Sequence, residues 1–433
     1  MFLEASRMKI IVNEGLTNNE IGIPESILPD RETAIFELGQ WKKEVLIKRL
    51  DTEDVHVSKD FFPYDIPLDL PYERKEKIET IKLGPVIAVI VPNRKREYAE
   101  LCNYKKYMEL YQQVNGLVFI SSTNRIDFGK RVMRGYYYNP ILKEIDPVER
   151  IFPFPDAVYK RCGSRKRRTF QMLSEMVNYK VFNWPNLNKM GQYRMFRNNE
   201  SLFAHFPKTK RLRSINTVKG MLRDYPMIYL KPINGGKAKG IMALSKTGDS
   251  YIMTKESEKK ELNNKELAMY IEQIKSKKQY IVQQAAPKVA NKNIVLRAIL
   301  QKNDVGEWVF SGGYTRIGIE GSDITNRIHT KEFMKLEDSF MKFYHMNDTE
   351  AKSFVELMVG TCKRICEGFD EAGINFGDLA FDLIVGPNLK IWIIEVNNRY
   401  HNHRSPLLTI QDREMYFRVI SIPLLYAKYL AGF

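Results

Sequence analysis

The chain has 433 residues, 44% of them hydrophobic and 28% charged, with a formal net charge of +16. That length exceeds one ordinary core, and the composition excludes wholesale disorder. No apolar run is long enough to span a bilayer, so a membrane role is not expected. The basic balance favours an anionic partner: nucleotide phosphates, an acidic polymer, a membrane surface or nucleic acid. Four cysteines do not make a disulfide framework, and a reducing, cytoplasmic compartment is expected. The start, "MFLEASRMKIIVNEG", has an early Glu and no apolar centre, unlike a secretory signal.

Residues 1–80 hold short strand-like pieces, "KIIVNEG", "EIGIPESIL", "KEVLIKRL" and "VHVSKDFF", separated by turns. They predict a small β-rich N-terminal domain. "IGIPESIL" and "VHVSKDFF" share a strand-then-helix-start pattern that hints at an internal duplication. In "IKLGPVIAVIVPN" (81–93) the texture changes to one continuous apolar strand, of the kind buried on both faces of a parallel sheet. A helix over "EYAELCNYKKYMELYQQV" and a strand over "GLVFISS" complete a βαβ unit, and "DAVYKRC" and "KVFNWPN" read as later strands. An α/β domain over 81–190 follows. Its run "KRCGSRKRR" has six basic residues among the nine from Lys160 to Arg168. No RNA-recognition strand, zinc-finger spacing or basic zipper accompanies it. It reads as a solvated basic loop ahead of a nucleic-acid surface.

Beyond 190 the alternation continues. "SINTVKGMLRDYP" is a helix, "MIYLKPINGGKAKGIMALSK" a strand, loop and strand, and 259–278 a charged helix. "YIVQQAAP", "VLRAILQ" and "GEWVFSGGYTRIGI" are strands. Residues 348–369 form an amphipathic helix with an acidic start, on which Cys362 and Cys366 share a face. The pair reads as two buried thiols rather than half a metal site.

Two stretches carry chemistry. In "KIWIIEVNN" a buried strand ends in Glu395 and Asn397. Strand side chains alternate, so both point to one side and make a hard oxygen site suited to Mg²⁺. A strand ending in a polar turn gives the same tripeptide. Asp382 lies thirteen residues before Glu395, across the turn "VGPNLK", and antiparallel pairing would bring all three oxygen ligands together. In "YLKPINGGKAKGI", Lys231 ends a strand before a loop with Gly235, Gly236 and Gly240, and Lys237 and Lys239 add charge. Backbone N–H groups of such a loop approach phosphates closely, although a hairpin with a basic turn fits equally. The Walker order is absent. His401 and His403 of "RYHNH" read as a polar turn rather than a substrate contact.

Taken in order, "FNWPNLNKMGQY", "MIYLKPINGGKAKGI", "YIVQQ", "LRAILQKNDVGEWVFSGGYTRI", "DITNRIH" and "WIIEVN" resemble the ATP-grasp superfamily, which includes D-alanine–D-alanine ligase, glutathione synthetase and the RimK-type ligases. More closely, the chain resembles the YheC/YheD family of endospore coat-associated ATP-grasp proteins. The resemblance implies a pre-ATP-grasp α/β domain followed, over 191–433, by an ATP-grasp domain of two α+β lobes. It implies ATP and Mg²⁺ as cofactors and a carboxylate–amine ligase acting through an acyl phosphate. The implied substrate is a peptide or amino acid, with an acidic one favoured by the charge, and spore-coat proteins are implied partners. By the same resemblance Lys189 and Lys231 contact phosphates, the loop 234–240 covers them, and Gln283 and Gln284 lie beside the adenine. Asp382, Glu395 and Asn397 hold magnesium. Arg297 and Arg316 face the acyl phosphate or acceptor, and Asn326 precedes the place of the usual "HRGG". Here that motif has become "RIHTKEF", and Val295 replaces a ribose-side acid. Those departures carry the alternative: a coat-associated binding protein that keeps the fold with weakened catalysis.

Overall fold

The computed structural model describes residues 7–433 except 29, 78, 94–100, 165, 236–238, 256–257, 291, 320–329 and 400. Four sheets follow one another along the chain. The first has eight strands between Arg7 and Gly84. Its core is built on Ile21, Phe36, Phe61 and Tyr72, all buried, with Trp41 edge-on to Phe36 and Phe61. The two similar stretches of sequence are neighbours in this sheet, with Ile21 opposite Val57.

The single strand expected over 81–93 is two. Thr80–Gly84 belongs to the first sheet and Val86–Ile90 to the second. Pro85 between them has no N–H, so a ladder cannot run through it. Asp156 staples the break: its wholly buried carboxylate accepts from Val86 N at 2.9 Å and pairs with Lys82 at 2.6 Å. In the second sheet four parallel strands lie in the order Leu117–Ser121, Val86–Ile90, Ala157–Lys160, Val181–Phe182. Every residue of the first three is buried, as expected where both faces are covered. The helix expected before Leu117 is, in its described part, a 3-10 run Cys102–Met108 and one turn Tyr111–Val114.

The basic run is only partly a solvated loop. Lys166, Arg167 and Arg168 are exposed, and Arg165 lies outside the described residues. Lys160 and Arg161 are interior. Lys160 donates at 2.8 Å to both Cys162 O and Asn186 Oδ1 and lies over the Phe170 ring. Burial pushes its ammonium down to about 8.

The third sheet is antiparallel, in the order Thr209–Arg211, Tyr280–Gln284, Met227–Pro232, Met242–Thr247, Ser250–Lys255, Glu258–Leu262. The last of these replaces the start of the helix expected over 259–278, which begins instead at Asn264. Asn263 and Glu266 form a capping box there, satisfying the first N–H groups and fixing the boundary. The fourth sheet runs Thr330–Met334, Trp308–Gly318, Ile294–Lys302, Asp378–Val385, Ile391–Asn397. One of its faces packs on helix Asp348–Glu371, which buries Cys362 and Cys366. No helix among the described residues is long and apolar enough to cross a membrane.

The other face of the fourth sheet divides in two. At one end helix Arg413–Ala431 covers it, Met415 and Val419 packing on Ile299 and Ala380. The same helix lays Leu424, Tyr426 and Ala427 against Ile87 and Val89 of the second sheet. At this junction Asp378 is fully buried. Its Oδ1 accepts from His401 Nε2 and Gln301 Nε2, each at 2.8 Å. Its Oδ2 accepts from His403 Nε2 at 2.9 Å and Tyr159 OH at 2.6 Å. Arg161 donates to His401 O at 2.6 Å and to Tyr107 OH at 3.1 Å, and Tyr107 in turn meets His403 Nδ1 at 2.9 Å. His401 and His403 are therefore not a polar turn: they are 5% and 2% exposed and bind the fourth sheet to the second. With Asp378 they group closely enough to hold a metal ion, but four donors already satisfy the carboxylate.

Burial alone would push the Asp378 carboxyl up, yet His403 and His401 outweigh it and hold the group well below its usual range. Burial, then Arg161, pushes the His403 imidazole down to about 3. Free imidazole titrates near 6.5, so the unfolded chain takes up a proton that the folded one refuses. This contribution to stability is complete above about pH 6.5 and is lost as pH falls from there towards 3, with a slope of up to about 1.4 kcal/mol per pH unit. Denaturant titrations across that window should show a flatter dependence in His403→Gln. In the same measurement at pH 7, Asp378→Ala should cost about 3–5 kcal/mol, because four buried donors lose their acceptor.

Candidate active site

At its other end this face of the fourth sheet carries charge. Arg297 lies opposite Asp382, Asp382 opposite Glu395, and Ala380 opposite Asn397. Tyr314 faces Arg297, and Arg316, two residues on, joins the same face by alternation. The hairpin reaches this arrangement through a bulge. Leu383 pairs with Ile393 but Asp382 pairs with Glu395, leaving Ile394 as the extra residue. In an unbulged ladder of the same sequence Glu395 would fall opposite Phe381, on the face packed against helix Asp348–Glu371. Looping out Ile394 thus places the second carboxylate beside the first.

Asp382 is held from two sides. Its Oδ1 accepts from Arg297 Nε at 2.8 Å and Arg316 Nη2 at 2.7 Å, and its Oδ2 from Arg297 Nη2 at 2.9 Å. Burial raises this carboxyl, but Arg297 and Arg316 prevail and it stays below its ordinary value. Asn397 uses Nδ2 on Ala380 O at 3.2 Å and Asp382 Oδ2 at 3.4 Å. Its Oδ1 accepts no hydrogen bond among the described residues.

Glu395 pairs through Oε1 with Lys189 at 2.8 Å. Lys189 opens helix Lys189–Met195, capped by Asn188, whose side chain accepts from Gly191 N. The helix is fixed to the strand by Gln192, which donates to Val396 O at 2.8 Å and accepts from Val396 N at 3.3 Å. The third sheet contributes Lys231, only 6% exposed. Its Nζ donates to Gln283 Oε1 at 2.5 Å, while Gln283 Nε2 donates to Thr209 Oγ1 at 3.1 Å. Burial, then the neighbouring Lys189, pushes Lys231 down to about 8, against the pull of Glu395 and Asp382.

The structure thus gathers Lys189, Lys231, Gln283, Arg297, Arg316, Asp382, Glu395 and Asn397. Gln284 lies on the opposite strand face, its Oε1 accepting from Lys208 N at 3.1 Å. Gly235 and Lys239 are exposed at the loop ends. Gly240 has φ +75°, a backbone that glycine adopts without strain. Gly236, Lys237 and Asn326 lie outside the described residues. Sequence reasoning missed Asp378, Tyr159 and Arg161. A signal for Asp378 was present, since Asp378 and Asp382 are four apart on one strand and so share a face.

Two of the three groups fit Mg²⁺ as they stand: Glu395 engages one of its two oxygens and its side chain is 30% exposed, and Asn397 Oδ1 accepts no hydrogen bond among the described residues. The Asp382 carboxylate already accepts four hydrogen bonds, from Arg297, Arg316 and Asn397, and stands beside them. Mg²⁺ is commonly bound through one or two carboxylates together with substrate phosphates.

A profile of the YheC/D like ATP-grasp family matches residues 178–430. The chain belongs to that family. Endospore coat-associated protein YheD of Bacillus subtilis (strain 168) is 20% identical over 410 residues, covering 88% of each chain. Among solved structures, D-alanyl-alanine synthetase A from Vibrio cholerae is 12% identical with a TM-score of 0.48, over 80% of this chain and 98% of that one. The macrocyclase MdnC from Microcystis aeruginosa, bound with precursor peptide MdnA, is 15% identical with a TM-score of 0.40, over 77% and 98%.

One property of the cluster is directly measurable. In a titration of isotope-labelled lysine side chains, two amines, those of Lys160 and Lys231, should change charge near pH 8, well below ordinary lysines at about 10.4. One of the two resonances should be absent from Lys231→Met.

Proposed function

We propose that the protein is an ATP- and Mg²⁺-dependent carboxylate–amine ligase that joins amino acids or peptides through an acyl phosphate. The observation that carries this reading is the meeting, on one sheet face, of Asp382, Glu395 and Asn397 with four cations, Lys189, Lys231, Arg297 and Arg316. Such a set suits a reaction whose charge lies on phosphate oxygens, where fixed cations supply most of the stabilisation.

In this reading Lys231 and Lys189 bind the nucleotide phosphates, and Gln283 holds Lys231 in place. A substrate carboxylate oxygen attacks the γ-phosphorus; the bond to the β–γ bridging oxygen breaks and ADP leaves. Arg297 and Arg316 orient the resulting acyl phosphate. The nitrogen of a neutral amine then attacks the acyl carbon, the C–O bond to phosphate breaks, and inorganic phosphate departs as the nitrogen loses a proton. Mg²⁺, held by Glu395, Asn397 and Asp382, would neutralise phosphate charge. The name of the Bacillus relative supports a setting at the endospore coat.

Two experiments test the reading. With Mg·ATP the purified chain should release ADP and phosphate only when both a carboxylate and an amine acceptor are supplied. No release with any pair of acceptors, while Mg·ATP still binds, would favour a coat-associated binding protein with weakened catalysis. Binding gives a second readout: at fixed Mg²⁺, Glu395→Gln and Asp382→Asn should each weaken ATP by about tenfold or more, each removing a hard anionic ligand. Phosphate next to Lys231 restores its charge, so calorimetry in buffers of different ionisation enthalpy should show proton uptake on ATP binding between pH 8 and 10. The uptake should vanish in Lys231→Met.

A further inference from the structure

A cation closed off from water with no anion beside it is costly, and the α/β domain holds one. Lys160 ends strand Ala157–Lys160 and is 0% exposed. Its hydrogen-bond acceptors are neutral, Cys162 O and Asn186 Oδ1, and its remaining contact is the face of the Phe170 ring. Arg399, a charge of the same sign, acts on it as well. Lys302, by contrast, is buried against a carboxylate, that of Asp370 at 2.8 Å. Interior charges are ordinarily paired in that way, and an apolar side chain of similar volume folds at less cost than an unpaired one. Stability therefore does not account for a lysine here.

What Lys160 holds is the stretch of chain that leads into the charged cluster. Asn186 Oδ1 accepts from Lys160 Nζ, and Asn186 Nδ2 donates to Ser164 O at 2.8 Å. The next residue, Leu187, donates its N–H to Asn398 Oδ1 at 3.2 Å and accepts from Asn398 Nδ2 at 3.0 Å. Asn188 caps the helix, Lys189 reaches Glu395, and Gln192 is bonded to Val396. The partners of Leu187, Lys189 and Gln192 all belong to the last strand or its exit. Asn186 is tied instead to the α/β domain, through Lys160 and Ser164. Strand Ala157–Lys160 thus reaches the fourth sheet twice. From one face Tyr159 bonds Asp378, and from the other Lys160 acts through Asn186, since neighbouring strand residues point to opposite sides.

We propose that Lys160 is a positioning residue for the cluster: through Asn186 it sets the start of helix Lys189–Met195, and with it the Lys189 ammonium against Glu395 and Lys231. A lysine suits the task because its long stem carries three donors, enough to hold a backbone carbonyl and an amide oxygen together. The effect on nucleotide binding rests on the ligase reading above; the placement of Lys189 does not.

The placement is read first, without nucleotide, from the titration of labelled lysines in the full chain. Lys189 is one of the two causes that hold Lys231 near pH 8. Displacing it from Lys231 should raise that midpoint by about one pH unit. Lys160→Met and Asn186→Ala should both raise it. The double variant should raise it no further than the larger single change, because both break one link. The melting temperature of Lys160→Met should not fall. ATP affinity at fixed Mg²⁺ should drop about tenfold in each single variant. An unmoved Lys231 in both variants would overturn the proposal, and so would additive shifts in the double variant. A lowered melting temperature with Lys231 unmoved would make Lys160 a structural residue only. A raised Lys231 midpoint with unchanged ATP affinity would sink the assignment of these lysines to phosphates and leave the positioning role. Weaker ATP with Lys231 unmoved would sink the positioning role and leave the ligase.

Discussion

A carboxylate removed from water has to be answered by donors, and Asp378 is answered by four of them from three separate stretches of chain. Tyr159 comes from the parallel sheet, Gln301 from the adjacent strand, and the two histidines from the segment after the last strand. That requirement orders much else. It fixes the path of the chain beyond Asn397, seats helix Arg413–Ala431 between two sheets, and leaves the α/β domain and the fourth sheet little freedom to slide. The third sheet meets this unit differently. Its described links to the last strand and its exit are polar ones, such as Arg399 to Asn234 at 3.4 Å, with Lys231 placed near Lys189 and Glu395. Beside these polar links, Ile233 and Ile281 of the third sheet pack with Met190 and Tyr193 of helix Lys189–Met195 in a small apolar cluster.

Much of the fold was legible in the sequence, for a simple reason. Strands buried on both faces, such as "LVFIS", are continuous apolar runs, and long helices carry their period and their caps. What was not legible depended on single residues acting against the trend. Pro85 cuts one apolar run into strands of two sheets. Asn263 moves a helix start forward by several residues. The candidate oxygen ligands could be named from spacing, but their meeting depends on register, and register turns on the bulge at Ile394, which looks in the sequence like any other strand residue. The burial of His401 and His403 was hidden because a polar pair after a strand suggests solvent, while their partner Asp378 lies over twenty residues earlier.

Charge shows the same dependence on place. Of the five described cations in the densest basic run, the first two proved to be interior and the last three exposed. The larger surplus is spread out: residues 208–288, which build the third sheet and its helices, contain eighteen Lys and Arg against seven Asp and Glu. Most of the net charge of +16 therefore resides in the lobe that carries Lys231. A field of that sign around a cleft raises the local concentration of anions and their rate of arrival, an advantage that salt would erode.

The strand Asp378–Val385 also acts as a gauge. Asp378 and Asp382 stand four residues apart on one extended segment, a separation of about 13 Å. One end is locked to the parallel sheet and the other is clasped by Arg297 and Arg316 beside Glu395 and Lys189, so the interval cannot stretch or shorten without breaking a ladder. The distance between the buried junction and the charged cluster is thereby set by the backbone alone, before any side chain is consulted.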